Sequence, residues 1–308
     1  MLYPLKFKPI YKEKIWGGKS IAGIFNRDVP CDRVGESWEL CSHRNGTSMV
    51  VNGILAGESL QTIIERYERD LLGAKELLPG RKFPLLLKII DASDNLSLQV
   101  HPDDAYAYQQ EQEPGKTEAW YIVSARENAR IIYGLKESVT RNEFLNALQQ
   151  NHFENVLRTV PVKKGDMVFV PAGTVHALLE GVVVYEVQQN SDTTYRVYDY
   201  GRLGPDGRPR ELHTDKAVEV IRFGRQETID FSRSKIECPY FQMEKITVPE
   251  EWRDATNNQY AIYCILNGKG IIDSVQGEER VEKGETILIP ASLGNTRLRG
   301  NLDLLRIS

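Results

Sequence analysis

The sequence predicts a mainly β protein built from two similar β-barrel or β-sandwich units with a small α-helical insert. Short runs of strand-forming residues alternate along the chain with turns that contain Gly and Pro. One run occurs twice, as Lys-Gly-Asp-Met-Val-Phe-Val-Pro at 164–171 and as Lys-Gly-Glu-Thr-Ile-Leu-Ile-Pro at 283–290. Because a repeated strand arrangement indicates repeated units, we expect a first unit over 1–225, with the insert around 137–160, and a second over 226–308.

Composition and charge limit the kinds of function. The 308 residues, 41% hydrophobic and 27% charged, are typical of a globular protein. The net charge of −4 offers no general attraction for nucleic acid, and residues 1–16 resemble neither a signal peptide nor a membrane span. The four cysteines lie far apart in the sequence, which argues against a thiolate zinc site or a disulfide framework and favours the cytoplasm.

The first third of the chain is predicted to form strands, turns and one helix. Gly35–Leu40 fits a strand whose two glutamates we expect to face solvent. Ser59 is a suitable N-cap for a helix over Leu60–Arg69 that keeps one face apolar. The apolar strand Phe83–Ile90 contains Lys88, which must either extend to the surface or meet an anion in a cavity.

Polar side chains alternate along a strand predicted at Leu96–His101. Ser97, Gln99 and His101 share one face of it, and three polar groups facing inward are costly unless they bind something. If the same face looks at water, the pattern is that of an ordinary half-exposed strand.

Lys116 and Glu118 continue this alternation, although a Lys/Glu pair at that spacing is common on protein surfaces. The runs Trp120–Val123 and Ala129–Tyr133 are predicted as the next strand pair. A helical insert follows. It begins at a capping box of Thr140 with Glu143, and a second helix is expected around Phe153–Leu157.

Gly165–His176 combines a strand with a Pro- and Gly-containing bend that ends at a histidine. An imidazole at the mouth of a strand pair can bind a metal, although many histidines in this position are only packed and hydrogen-bonded. The second copy has Asn295 in the position of His176, and no histidine follows His213. We therefore expect the second unit to lack a metal site.

The segment Asn190–Arg202 is dense in hydrogen-bonding groups and aromatic side chains. Arg196 and Arg202 suit a phosphate because guanidinium is always charged and can bind two oxygens at once. The alternative, two surface arginines on a long loop, stays open at this level.

The candidate metal ligands come from separate strands. His101, His176 and Glu118, with Gln99 as a neutral oxygen donor, suit Zn²⁺ and also Fe²⁺ or Mn²⁺. The remaining histidines lack a comparable polar neighbourhood, and His43, next to Arg44, is expected to be exposed.

These motifs resemble a known family. Gly165–His176 is similar to the second signature motif of cupins, and 98–118 stands in place of their first. The chain is identified as a member of the zinc-dependent type I mannose-6-phosphate isomerases, in their short bacterial form. The resemblance rests on Trp16-Gly17-Gly18, Gly35–Leu40, Ser97–Pro102, Lys116-Thr117-Glu118 and Gln188–Arg196.

The resemblance implies two cupin (jelly-roll β-barrel) domains with one active site, which interconverts mannose 6-phosphate and fructose 6-phosphate through a cis-enediol. It implies one Zn²⁺ per chain, with the ligands Gln99, His101, Glu118 and His176. It further implies catalytic roles for Arg196, Lys116 and Asp192, and sugar-phosphate contacts from Ser97 and Lys88. The identity of the general base stays open between Lys116, Asp192, Glu186 and a zinc-bound water. The alternatives are an Fe²⁺ cupin dioxygenase and a non-catalytic sugar-phosphate-binding cupin. The oligomeric state is left open.

Overall fold

The computed structural model describes residues 1–150, 152–204, 207–224 and 229–308. The strands in these residues are β1 Leu5–Lys8, β2 Ile10–Gly18, β3 Val34–Leu40, β4 Ser42–His43, β5 Gly46–Thr47, β6 Met49–Val50, β7 Leu85–Ala92, β8 Leu98–Val100, β9 Glu118–Ala125, β10 Arg130–Leu135, β11 Leu157–Pro161, β12 Met167–Val170, β13 His176–Leu178, β14 Val182–Gln189, β15 Tyr195–Tyr198, β16 Lys235–Glu237, β17 Gln242–Val248, β18 Glu251–Ala255, β19 Ala261–Ser274, β20 Gly277–Glu282, β21 Thr286–Ile289 and β22 Asn295–Ile307. The prediction of a mainly β fold is confirmed.

The helices in the same residues are α1 Ser20–Phe25, α2 Leu60–Leu72, α3 Asp104–Glu111, α4 Arg141–Gln150 and α5 Thr214–Val220, with 3₁₀ turns at Gly53–Leu55, Phe153–Asn155 and Ala291–Leu293. The longest, α2, has 13 residues, and no helix in the described part of the chain has the length and apolarity of a membrane span.

Two large sheets and a two-stranded sheet of β4 and β5 form the first unit. One large sheet has the strand order β12-β9-β14-β7-β3-β2 and the other the order β11-β10-β13-β8-β15. They share a core between them that includes Ile90 and Trp120 from the first sheet and Tyr133 and Leu178 from the second. Within the described residues the two sheets are not hydrogen-bonded into one closed barrel.

The inner face of the six-stranded sheet changes character along its strands. Alternation turns Val184 and Ile90 into the apolar core, while Glu186 and Lys88, two residues away on the same strands, face the same side. Antiparallel pairing places Glu186 directly opposite Lys88. One end of the space between the sheets is therefore apolar and the other is lined by charged groups.

The second unit is a sheet of nine strands in the order β16-β17-β22-β19-β21-β1-β6, with β18 on β22 and β20 on β19. Strand β1 comes from the start of the chain, and its Leu5 pairs with Leu288 of β21. The largest core cluster, which includes Leu87, Tyr185, Phe241 and Leu305, joins the outer face of the six-stranded sheet to this sheet. The predicted division at 225/226 lies outside the described residues and stays a prediction.

The sequence repeat is visible in the hydrogen bonds of the two turns. The amide of Gly165 donates to Ile122 O at 2.9 Å, and that of Gly284 to Ile265 O at 2.8 Å. Each turn is also closed by its acidic residue, because Asp166 and Glu285 each accept a backbone N–H from three residues earlier at 2.9 Å. Strands β12 and β21 follow at matching positions, so the two motifs are built alike.

The helix caps form where the sequence predicts them. The Ser59 hydroxyl accepts from the Thr62 amide at 3.0 Å at the start of α2, and Thr140 with Glu143 forms the capping box of α4. The prediction of a second insert helix around Phe153–Leu157 is wrong, since Phe153–Asn155 is a single 3₁₀ turn. Leu157 instead begins β11, the edge strand of the five-stranded sheet, where it pairs with Leu135 of β10.

The predicted strand pair Trp120–Val123 and Ala129–Tyr133 does form two strands, β9 and β10, but they lie in opposite sheets. Strand β9 pairs with β12 and β14, whereas β10 pairs with β11 and β13. The connection between them therefore crosses from one sheet to the other.

Candidate metal centre and active site

Four side chains converge at the charged end of the space between the sheets. Gln99 on β8 lies directly opposite His176 on β13, so that both face the opposing sheet. His101 follows β8, and Glu118 is the first residue of β9 in the other sheet. The ligand atoms of His101, Glu118 and His176 all lie within 4.8 Å of one another. The structure thus brings the four predicted metal ligands together.

These atoms are close enough together to share one metal ion. The Nε2 atom of His101 lies 3.4 Å from Glu118 Oε2, and that of His176 lies 3.3 Å from Glu118 Oε1. A tetrahedral ion with bonds of about 2.0–2.1 Å holds its ligand atoms roughly 3.3 Å apart. The two imidazole-to-carboxylate separations are therefore of the size found between ligands of one Zn²⁺ or a similar ion.

Both imidazoles present Nε2 to the cluster. The Nδ1–H of His101 donates to Thr193 O at 3.0 Å, and that of His176 donates to Thr174 O at 2.9 Å. These bonds fix the tautomer with an unprotonated Nε2, as is usual for metal-binding histidines. Burial lowers the pKa of His176 to about 4, and burial, followed by the charge of Lys116, holds that of His101 well below its ordinary value.

Glu118 supports the same interpretation. Its side chain is fully buried, and no group in the described residues donates a hydrogen bond to either carboxylate oxygen. The Lys116 ammonium lies 3.2 Å from Glu118 Oε2 and 3.1 Å from His101 Nε2, close but outside hydrogen-bonding geometry to the carboxylate. A buried carboxylate that is ion-paired but accepts no hydrogen bond keeps oxygen lone pairs that a metal ion can occupy.

The side-chain amide of Gln99 lies beside the other three predicted ligands, with its Nε2 atom 3.2 Å from His176 Nε2. The oxygen and nitrogen of an amide exchange places by a rotation of the side chain. That rotation turns Oε1 towards the other ligands, which is the orientation that a metal requires.

A cavity of about 280 Å³ opens beside this cluster. Lys88 lines it and is buried between two carboxylates, 3.7 Å from Glu186 Oε1 and 4.0 Å from Glu36 Oε2. Burial alone would lower the pKa of Lys88, but the two carboxylates raise it above its ordinary value. Burial would raise the pKa of Glu36, but Lys88 and Lys14 lower it to about 2. Both groups are therefore charged near neutral pH.

Glu186 differs from the other carboxylates of the cavity. Burial, followed by the neighbouring charge of Glu118, raises its pKa above the ordinary value. Its Oε2 accepts a hydrogen bond from Trp120 Nε1 at 3.0 Å, while its Oε1 accepts none in the described residues. A buried carboxylate with one open oxygen and a raised pKa is suited to proton transfer.

Cations gather at the mouth of the cavity. Arg196 and Arg210 both line it, and burial, followed by the charge of Arg210, lowers the pKa of Arg196. Arg196 Nη1 donates to Glu211 O at 2.8 Å, and Arg210 is held by Asp199. Arg202, which the sequence paired with Arg196, donates instead to Asn95 O and Asp199 and is not part of the lining.

The other predicted site residues also border the cavity. Ser97 is buried in its wall, and Lys116 lies at its inner end. Asp192 is exposed at the mouth, where it accepts a hydrogen bond from Asn45 Nδ2 at 2.9 Å.

Sequence reasoning missed Glu36, Arg210 and His43. The glutamates of Gly35–Leu40 do not face solvent, since Glu36 lines the cavity and Glu39 is buried against Arg27. His43 is buried, with Nε2 3.8 Å from Glu113 Oε2, so the expectation of exposure is wrong. The alternation of Glu36 with Ser37 was a usable signal, but nothing local indicates which face is inside.

Comparison with known proteins identifies the family. Residues 4–128 match the family model for the catalytic domain of type I phosphomannose isomerase, and residues 233–308 match that for the cupin domain of mannose-6-phosphate isomerase. The chain is 40% identical to mannose-6-phosphate isomerase ManA of Bacillus subtilis, with 96% of each chain covered. The chain belongs to the type I mannose-6-phosphate isomerase family.

Other relatives and solved structures are also similar to this chain. The mannose-6-phosphate isomerase of Streptococcus mutans is 35% identical, over 99% of this chain and 98% of that protein. The crystal structure of the mannose 6-phosphate isomerase from Bacillus subtilis superposes with a TM-score of 0.92 at 35% identity, with all of both chains covered. A putative mannosephosphate isomerase from Archaeoglobus fulgidus, at 24% identity and a TM-score of 0.81, shares the fold. The predicted cupin fold is confirmed.

Proposed function

We propose that this chain interconverts mannose 6-phosphate and fructose 6-phosphate. The family supports this reaction, and the single observation that carries it is the buried Glu118, which faces two imidazole Nε2 atoms beside a cavity with a cationic mouth. The reaction moves one proton from C2 to C1 and one between the two oxygens, through a cis-enediol. It needs a base, stabilisation of charge on oxygen and an anchor for the phosphate.

We assign one Zn²⁺ per chain to Gln99, His101, Glu118 and His176. A zinc ion bound there supplies a Lewis acid that orients the sugar oxygens and stabilises negative charge on them. Lys116 lies at the inner end of the cavity, where its ammonium donates to a sugar oxygen that gains charge. The four free cysteines support the predicted reducing, cytoplasmic location.

We assign the phosphate to the mouth of the cavity. Arg196 and Arg210 border the mouth together, and a dianion between them offsets the repulsion that two like charges exert on each other. Ser97 lines the same cavity and remains a proposed contact to the sugar phosphate. Lys88 is already balanced by Glu36 and Glu186, so its proposed role shifts to holding those carboxylates near the sugar.

Glu186 is our choice of general base. Its open oxygen points into a buried site and its pKa is raised, whereas Asp192 is exposed and already accepts a hydrogen bond from Asn45. Asp192, for which the resemblance implies a role in proton transfer, is proposed instead to order the mouth. We also propose that the unit at 1–225 binds the metal and the substrate, and that the unit at 226–308 binds no metal.

The proposal predicts a metal-dependent isomerase. Purified protein dialysed against a chelator should lose activity in a coupled assay on mannose 6-phosphate, and added Zn²⁺ should restore it. The rate should be the same with and without oxygen, because no oxidant takes part. Activity that persists after complete removal of metal, shown by elemental analysis, would contradict the proposal, and oxygen consumption would favour a dioxygenase.

Arg196→Ala should lower kcat/KM for mannose 6-phosphate about 100-fold while bound metal stays unchanged, since the variant removes a charge-assisted contact and no ligand. Arg202→Ala is the matched control, because its guanidinium is held outside the cavity by Asn95 and Asp199. With unphosphorylated mannose, the difference between wild type and Arg196→Ala should shrink. A deficit of equal size on mannose would show that Arg196 does not bind phosphate.

A further inference from the structure

The segment 115–117, which carries Lys116, is fixed by hydrogen bonds from three successive backbone N–H groups to residues elsewhere in the chain. The N–H of Gly115 donates to Asp104 Oδ1 at 2.8 Å, that of Lys116 to Pro102 O at 3.0 Å, and that of Thr117 to Gln189 Oε1 at 2.9 Å. Gly115 also permits close contact, since a Cβ there would lie 2.5 Å from the backbone of Asp103 and Asp104. The backbone on both sides of Lys116 is therefore fixed by its neighbours.

Asp104 and Gln189 form one unit. The Gln189 Nε2 donates to Asp104 Oδ1 at 2.9 Å, so the same carboxylate oxygen receives both Gly115 and Gln189. The backbone N–H of Gln189 donates to Thr117 O at 3.2 Å, so both the N–H and the carbonyl of Thr117 are bonded to Gln189. A shift of the Asp104 carboxylate would therefore displace Gly115 directly, and it would displace Thr117 through Gln189.

The second unit holds that carboxylate in place. Tyr240, in the turn between β16 and β17, donates its hydroxyl to Asp104 Oδ2 at 2.8 Å. The next residue, Phe241, is buried in the core that joins the two units, which anchors the turn. Asp104 thus has one oxygen turned to the Lys116 segment and the other to the second unit.

We propose that Tyr240 of the second unit is a positioning residue for Lys116, acting through the Asp104 carboxylate and Gln189. The inference rests on the proposed function, in which Lys116 contacts the sugar. It gives the second unit, which we expect to hold no metal, a part in catalysis. Because reacting groups must be held to within a fraction of an ångström, a small displacement of Lys116 slows turnover more than it weakens binding.

Tyr240→Phe tests this, since it removes one hydroxyl and keeps the ring. We expect kcat to fall about tenfold, with KM and bound metal nearly unchanged. Tyr263→Phe is the matched control, because the Tyr263 hydroxyl likewise donates to an aspartate of the second unit, Asp254, at 2.7 Å. It should change thermal stability but leave kcat as in wild type.

A double-mutant cycle with Asp104→Ala separates positioning from general destabilisation. If Tyr240 acts through Asp104, Tyr240→Phe combined with Asp104→Ala should have the kcat of Asp104→Ala alone. Wild-type kcat in Tyr240→Phe, an equal loss in Tyr263→Phe, or additive losses in the cycle would each overturn the inference. An inactive wild-type protein would instead overturn the proposed function.

Discussion

His176→Asn should remove the bound metal and slow isomerisation about 10³-fold, which corresponds to roughly 4 kcal/mol of lost transition-state stabilisation. His176 Nε2 lies 3.3 Å from Glu118 and its ring packs edge-on against Trp120, with centroids 5.5 Å apart. Asparagine is shorter and is the residue that the second copy of the motif carries, as Asn295. The variant thus converts the site to the state that we expect for the unit without metal.

Stability must be measured alongside, because the smaller side chain leaves a gap against Trp120 that is expected to cost about 1–3 kcal/mol. His152→Asn is the control, since His152 is exposed and far from the cluster in sequence. Elemental analysis, thermal unfolding and the coupled assay should show metal and activity lost together in His176→Asn alone. Bound metal and full activity retained in His176→Asn would remove His176 from the site.

Glu186→Gln should lower kcat about 10²- to 10⁴-fold with the metal retained. Glutamine has the shape of glutamate and its oxygen can still accept the hydrogen bond from Trp120, but it cannot take a proton from carbon. Lys88 keeps Glu36 as its partner, so the fold should persist. Asp192→Asn is the companion variant and should have a smaller effect, because Asp192 is exposed at the mouth.

The pH profile gives Glu186 a separate test. A base must be ionised to act, and the pKa of Glu186 is raised, so kcat/KM of the wild type should fall as the pH drops. The acid limb should lie above 4.5, the ordinary value for a glutamate. An unchanged acid limb in the residual activity of Glu186→Gln, or a larger loss in Asp192→Asn, would transfer the role of base to another group.

The parts of the fold that could be predicted from the sequence are those determined by residues close together in the chain. Strand alternation placed Gln99 and His101 on one face, and the Ser59 cap and the Lys-Gly turns form as expected. These features depend on residues within a few positions of each other. The four proposed metal ligands were found for this reason, together with the resemblance to the family.

The features that sequence reasoning missed depend on long-range pairing. Glu36 faces inward because β3 pairs with β7, where Glu36 lies opposite Ile90, and Arg210 reaches the mouth because Asp199 holds it. The prediction of a second insert helix was wrong for a related reason, since Leu157 pairs with Leu135 of β10 in the five-stranded sheet. Neither the register nor these partners can be derived from neighbouring residues.

The pairing of Leu5 with Leu288 bears on how the chain assembles during synthesis. Strand β1 is synthesised well before its partner β21, because most of the described strands lie between them in the chain. Until β21 is made, β1 has an unpaired edge, and the apolar face of α2, including Leu60 and Ile63, lacks part of its cover. Such long-range contacts slow folding and favour association of incomplete chains. The first unit therefore depends on strands made much later in the chain for part of its packing.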